Sequence, residues 1–338
     1  MKAALFAKPG SLNIVSRDLR RLRDDEVLVR VDACGLCGTD IHIVEGSSRS
    51  SPPVVLGHEY AGVVEDAGST TVVKEGTRVA VDPNIACGNC FYCHRGLVHL
   101  CSNLRALGVD LDGGMAEYSI VPFGQLHPLP PDLSPDEGAL IEPVSCIVHG
   151  IDRARIQPGD SVVILGGGTA GMIMLRLVLR AGAARVLMVE PRSQKRDLAL
   201  RLGASAVMDP STGDVAAWVR EQTHVGADVV VECVGKPETM RLSLDLARRG
   251  GTVEFFGVCP IGEKIPVEPN AIYAKELTIV GSYVNPHTFT RAAALLNAGV
   301  IRAADLEIKH FPLDGVHEAF AALREGQTLK SIIHPRSH

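Results

Sequence analysis

The chain has 338 residues, of which 46% are apolar and 22% charged, with a formal net charge of −5. This is an ordinary globular balance that can bury a sizeable core, and the mild acidity argues against nucleic acid or an anionic membrane as partner. The first residues lack the apolar run of a signal peptide, and the longest uncharged apolar-rich stretch, 161–175, is too short and too glycine-rich to span a bilayer. A soluble, cytoplasmic protein of about two domains is therefore expected, at roughly 150 residues per domain. Nine cysteines in a long chain without a leader point to metal or buried thiols rather than to disulfides.

Residues 1–131 read as short strands punctuated by glycine. Residues 26–31 (Glu-Val-Leu-Val-Arg-Val) alternate as a half-buried strand does, and 60–65 and 78–81 behave alike. This lobe is expected to be all-β and barrel-like. Prolines 128, 130 and 131 form a joint. Ser134-Pro135-Asp136-Glu137 then supplies an N-cap, a proline at the first helical position and a capping-box glutamate, opening a helix that runs to about Ile151. From residue 161 strands alternate with helices. The strands are 161–165, 185–189, 206–208, 228–232, 252–256 and 277–280; the helices are 170–181, 193–202, 214–222 and 239–247. Continuous apolar strands between helices predict a parallel sheet buried on both faces. Helices at 287–298 and 315–324 and a strand at 330–333 close the chain, and pattern alone does not say which domain they join.

Three motifs carry chemistry. Gly57-His58-Glu59 sets an imidazole beside a carboxylate, and Cys37 lies 21 residues upstream in Cys34-Gly35-Leu36-Cys37-Gly38-Thr39-Asp40. Thiolate, imidazole and carboxylate are zinc ligands, and three protein donors with one open position describe a catalytic site. Singly these residues are weak signals: a His–Glu pair is often structural, and Cys34 with Cys37 is also readable as a redox C-x-x-C pair. Cys87, Cys90, Cys93 and Cys101 form C-x2-C-x2-C-x7-C, suited to a closed, structural zinc. An iron–sulfur cluster is the other metal reading. Gly166-Gly167-Gly168-Thr169-Ala170-Gly171 is G-x-G-x-x-G between an apolar strand and a helix, the context in which it binds a pyrophosphate. Glu190 ends the following strand, placed to bind the ribose hydroxyls of NAD and repel a 2′-phosphate. Arg192 and Arg196 nearby keep NADP open.

Together these motifs resemble the zinc-containing medium-chain alcohol and polyol dehydrogenases over nearly the whole chain. The resemblance implies an α/β protein: a GroES-like β-barrel catalytic domain (1–148), a Rossmann NAD-binding domain with a doubly wound parallel sheet (149–284), and a return to the catalytic domain (285–338). It implies a catalytic and a structural zinc, with Cys37, His58, Glu59 and Glu142 at or near the catalytic ion. Thr39 then touches the substrate oxygen, His42 ends a proton relay, and Lys330 contacts the cofactor pyrophosphate unless it is a surface lysine. The expected reaction is hydride transfer between a secondary alcohol, a polyol or sugar alcohol by closest resemblance, and NAD, in a dimer or tetramer. Two departures leave the particular polyol open. The stretch 281–285 lacks the arginine that sorbitol-type enzymes carry there, and Ile43 stands where they have tyrosine. A threonine-type dehydrogenase is the rival within the family. A quinone or enone reductase, or a dinucleotide-sensing protein, would need only the four-cysteine zinc.

Overall fold

The computed structural model describes residues 1–70 and 72–336. They divide into two compact units, one of Met1–Ser145 with the chain from Val284 onward, the other Cys146–Tyr283. The division falls inside one long helix, Pro135–Ala154.

The first unit is built on the strand Glu26–Gly35, whose Val27, Val29 and Val31 point inward and are fully buried. Alternation along this strand is what the hydrophobic pattern required. It pairs antiparallel with Glu59–Asp66, with Tyr118–Pro122 and with the last strand, Lys330–His334. Register decides the rest: Gly35 lies opposite Glu59 on one side and Ile332 on the other. The central strand thus lies between the strand that begins at Glu59 and the chain's last strand. Leu313, Val316, Ala319 and Ile333 from the tail share one apolar core with Val27, Val29 and Val31.

This lobe is not all-β as expected. A helix, Gly38–Glu45, follows the central strand directly. Cys37 is its N-cap, and the Asp40 side chain accepts from the Cys37 amide at 2.9 Å, completing a capping box. Cysteine is not a usual capping residue, which is why the helix start was not legible.

The second unit is a six-stranded, wholly parallel sheet in the order Ala206–Met208, Arg185–Val189, Ser161–Leu165, Ala227–Glu232, Ala247–Phe255, Thr278–Gly281. The order reverses direction at Ser161–Leu165, so the glycine turn that follows this strand sits at the switch point where α/β sheets bind ligands. Val162, Val163 and Ile164 are fully buried, in keeping with helices on both faces. A short helix, Pro269–Lys275, precedes the edge strand and was not foreseen. No helix among the described residues is long and apolar enough to cross a membrane.

One buried acid in this unit carries a measurable consequence. Both carboxylate oxygens of Glu254 are enclosed without an aligned hydrogen bond, and burial, only partly offset by Ser282 and Arg153, raises its pKa from 4.5 to about 7. The folded protein therefore holds a proton there that the unfolded chain releases near 4.5. Stability from this group is full below that value and is lost as pH rises through about 7, by up to about 3 kcal/mol. Glu254→Gln should remove that dependence: its denaturation midpoint relative to wild type rises between pH 5 and pH 8. Parallel pH profiles of the two proteins would count against the ionisation of Glu254 as the cause.

Candidate active site

Cys37, His58 and Glu59 converge. Each offers one donor atom, and the three atoms lie within 4.8 Å of one another. Donors of a tetrahedral zinc with bonds of about 2.0–2.3 Å stand roughly 3.3–3.8 Å apart, so the set fits such an ion. The central strand and the helix after it present Cys37; the turn before Glu59–Asp66 presents His58. That turn depends on Gly57, whose φ of +93° is left-handed and whose hypothetical Cβ would stand 2.6 Å from Cys34 Sγ and 2.9 Å from the Met115 amide. Gly35 is equally constrained, since a Cβ there would collide with the Glu59 carboxylate.

The electrostatics ask for a cation. Burial opposes a charge on His58, yet the Asp40 carboxylate and the Cys37 sulfur outweigh it and push its pKa well above the ordinary value. Asp40 is fully buried, with Oδ1 at 3.5 Å from His58 Nδ1. A carboxylate behind one ring nitrogen orients the other toward a metal and makes it a better donor. Asp40 is thus a site residue that the sequence does not single out, because the capping box it completes opens with cysteine instead of serine or threonine.

Lys330 requires a correction. It is not a surface lysine. The side chain is 2% exposed, its ammonium pairs with the Glu59 carboxylate, and it donates to the Leu36 carbonyl at 3.0 Å. Burial works against its charge, and Glu59 and Cys37, with Glu142 as a weaker influence, raise its pKa nonetheless. The physical reason is register: the last strand is buried in the sheet and delivers Lys330 beside Gly35 and Glu59. Glu142 is buried too, but it is not one of the donors grouped within 4.8 Å. Its place in the helix Pro135–Ala154 puts its charge within reach of Lys330 rather than in that donor group.

Thr39 and His42 share one face of the helix Gly38–Glu45, three residues apart. Thr39 Oγ1 is 3.6 Å from Cys37 Sγ, and His42 Nδ1 is 3.4 Å from Ser47 Oγ. Cys34 is not a redox partner. It is packed in the apolar core, and burial drives its pKa well above that of a free thiol.

The four remaining motif cysteines also come together. Cys87, Cys90, Cys93 and Cys101 place their sulfurs within 4.8 Å of one another. Backbone amides of Cys93 and Ser102 aim at the Cys90 sulfur and lower its pKa to about 5, while the Cys87 and Asn103 amides donate to Cys101 Sγ at 3.2 and 3.3 Å. Four clustered sulfurs, with no oxygen or nitrogen donor in the group, suit a closed zinc site.

In the second unit the glycine turn has the required form. Gly166 has φ of +97°, and a Cβ on Gly171 would strike the Gly166 carbonyl. Nothing within 4 Å would meet a Cβ on Gly168, the N-cap of the helix Thr169–Ala181, so the backbone is open there to a ligand. Glu190 is buried; its Oε2 accepts from the Gly167 amide at 2.7 Å and its Oε1 from the Arg192 amide at 3.0 Å. Arg196 is engaged with the Glu190 and Pro191 carbonyls and with Asp209, whereas Arg192 is exposed.

A closed thiolate cluster, an open mixed-donor site and a nucleotide turn in one chain define a class, the zinc-binding oxidoreductases. Comparison with known proteins makes this specific. Residues 23–131 match the alcohol dehydrogenase GroES-like domain and residues 170–298 the zinc-binding dehydrogenase domain. The chain is 35% identical to D-arabinitol dehydrogenase 1 of Uromyces fabae, over 99% of this chain and 97% of that protein. It is 33% identical to an L-threonine 3-dehydrogenase of Caldanaerobacter subterraneus subsp. tengcongensis, over 98% of this chain and 97% of that protein. A structure from Sinorhizobium meliloti 1021, described as a zinc-binding dehydrogenase bound to NADP, superposes with a TM-score of 0.94 at 40% identity, covering 99% of both chains. The chain belongs to the zinc-dependent medium-chain alcohol dehydrogenase family, and it is an oxidoreductase.

Proposed function

We propose that the protein catalyses reversible hydride transfer between a secondary alcohol, of polyol or sugar-alcohol type, and NAD. The observation that carries this is the meeting of Cys37, His58 and Glu59, with Asp40 behind His58. Cys37 and His58 hold the catalytic zinc, with Glu59 at or beside it. When bound, the ion supplies Lewis acidity that lowers the pKa of the substrate hydroxyl. A bound nicotinamide would supply the hydride acceptor. Thr39 Oγ1 accepts the hydroxyl proton as it gives up its own toward His42, which lies on the same helix face, is half-exposed and releases a proton to solvent. Lys330 pairs with the Glu59 carboxylate and balances its charge in a closed setting. Cys87, Cys90, Cys93 and Cys101 hold the structural zinc, and Glu142 bears on the catalytic group through Lys330.

The 35% relative that acts on arabinitol supports the polyol reading. The threonine dehydrogenase relatives support a second one, a 2-amino-3-hydroxy acid. A panel of polyols, sugars, simple secondary alcohols and threonine, followed by reduced-nicotinamide absorbance, separates them. Turnover of threonine alone would replace the polyol assignment, and no turnover of any alcohol would refute both. The exposed edge strand Thr278–Gly281 supports assembly into a homo-oligomer by strand pairing.

Gly166, Gly168 and Gly171 cradle the pyrophosphate, and the Glu190 carboxylate favours an unphosphorylated ribose. Each Glu190 oxygen accepts one backbone amide and keeps a lone pair for a ribose hydroxyl. Glu190→Ala should lower the ratio of kcat/KM for NAD over NADP by about tenfold or more, the loss of a hydrogen bond to a charged group. An unchanged ratio would reject Glu190 as the discriminating residue and favour Arg192 and NADP, the cofactor of the Sinorhizobium protein.

A further inference from the structure

A third group of metal-type donors lies apart from both zinc motifs. Asp136, His310 and His334 each place one donor atom within 4.8 Å of the others. Asp136 is in the first turn of the helix Pro135–Ala154. His310 and His334 come from the parallel strands Ile308–Pro312 and Lys330–His334. His310 pairs with Ile332, two residues before His334, so the two imidazoles leave the same face of the sheet. None of the three was singled out by a sequence motif, because 174 residues separate Asp136 from His310.

The hydrogen bonds define what belongs between them. His334 Nδ1 lies 2.8 Å from the Asp32 carbonyl, which can only accept, so Nδ1 carries a proton. His334 Nε2 then faces Asp136 Oδ1, 3.2 Å away. A ring nitrogen facing a carboxylate oxygen requires a positive charge between them, a proton or a metal ion, and the bond to Asp136 raises the pKa of His334 accordingly. Asp136 Oδ1 is buried and has no aligned hydrogen bond. His310 Nε2 stands 2.8 Å from the other carboxylate oxygen, and its side chain is half-exposed, which leaves an entry path. Two imidazoles and a carboxylate, with donor atoms within 4.8 Å of one another, are ligand types that a divalent transition metal takes.

We infer that Asp136, His310 and His334 form a third, solvent-exchangeable site for a divalent ion of the zinc, nickel and copper class. The remaining ligand positions belong to water. Bound there, the ion ties the chain's last strand to the start of the helix Pro135–Ala154. That strand also carries Lys330, the partner of Glu59, so the ion clamps the element that keeps Lys330 in place.

The test is calorimetric titration of the purified protein, its own zinc retained, with nickel(II). One equivalent is expected to bind in wild type and to raise the melting temperature by mass action. Affinity should fall about tenfold or more in both His310→Gln and Asp136→Asn, with zinc content unchanged. A readout that needs no variant is the paramagnetic resonance of one added equivalent of copper(II), which should show coupling to two imidazole nitrogens. Absence of saturable nickel binding, binding that survives in both variants, or a copper signal without nitrogen coupling would each overturn the site.

Discussion

Cys37→Ser is expected to reduce turnover about a thousandfold or more while dinucleotide affinity stays within about twofold. A Lewis acid contributes several kcal/mol to the barrier, and each 1.4 kcal/mol is about tenfold in rate. The serine hydroxyl is far less acidic than a thiol and does not supply the anionic donor. The substitution is close to isosteric at a half-buried position, so both folding units should form normally. Elemental analysis checks the cause: zinc per chain should fall from two to one. Full activity with two ions retained would remove Cys37 from the metal site and with it the central argument for the reaction. Loss of dinucleotide binding in the same variant would instead point to general damage.

Lys330→Met should destabilise the protein by about 3–5 kcal/mol, the range for breaking a buried ion pair by removing one partner. The reasoning rests on what is left behind. Glu59 is 1% exposed and paired with Lys330, and without the ammonium its carboxylate sits uncompensated next to Gly35. The Leu36 carbonyl loses its donor as well. Methionine keeps the volume of the aliphatic stem, so a cavity is not the cause. The decisive comparison is Glu59→Gln combined with Lys330→Met, which should recover more than half of the loss in denaturant midpoint because no charge remains unpaired. A single-variant effect below about 1 kcal/mol, or a double variant no better than the single, would show that the pair does not hold this part of the sheet together.

The contrast between Lys330 and the cysteine loop shows where local reading stops. Cys87, Cys90, Cys93 and Cys101 lie within 15 residues, and the short segment can close around an ion whatever the rest of the fold does. The glycine turn is local in the same sense. Gly166 and Gly171 are needed for the turn's own conformation, and the strand and helix on either side are legible from apolar periodicity. Lys330 lies 271 residues from Glu59, and its position depends on a strand pairing that no local pattern specifies. Glu142 is buried, as its place among Ile141, Val144 and Ile147 at helical spacing requires. Which charge it would face was not available from that pattern.

By itself the sequence determined the parallel α/β unit, the thiolate cluster, the nucleotide turn and the donor types at Cys37 and His58, since each follows from short-range spacing and side-chain chemistry. The tertiary structure alone decided that Asp40 backs His58, that Lys330 belongs to Glu59 and that Asp136 meets His310 and His334. Those contacts arise from strand register and from the packing of a helix on a distant strand. Energies of that kind sum over the whole sheet, so no single stretch of residues encodes them.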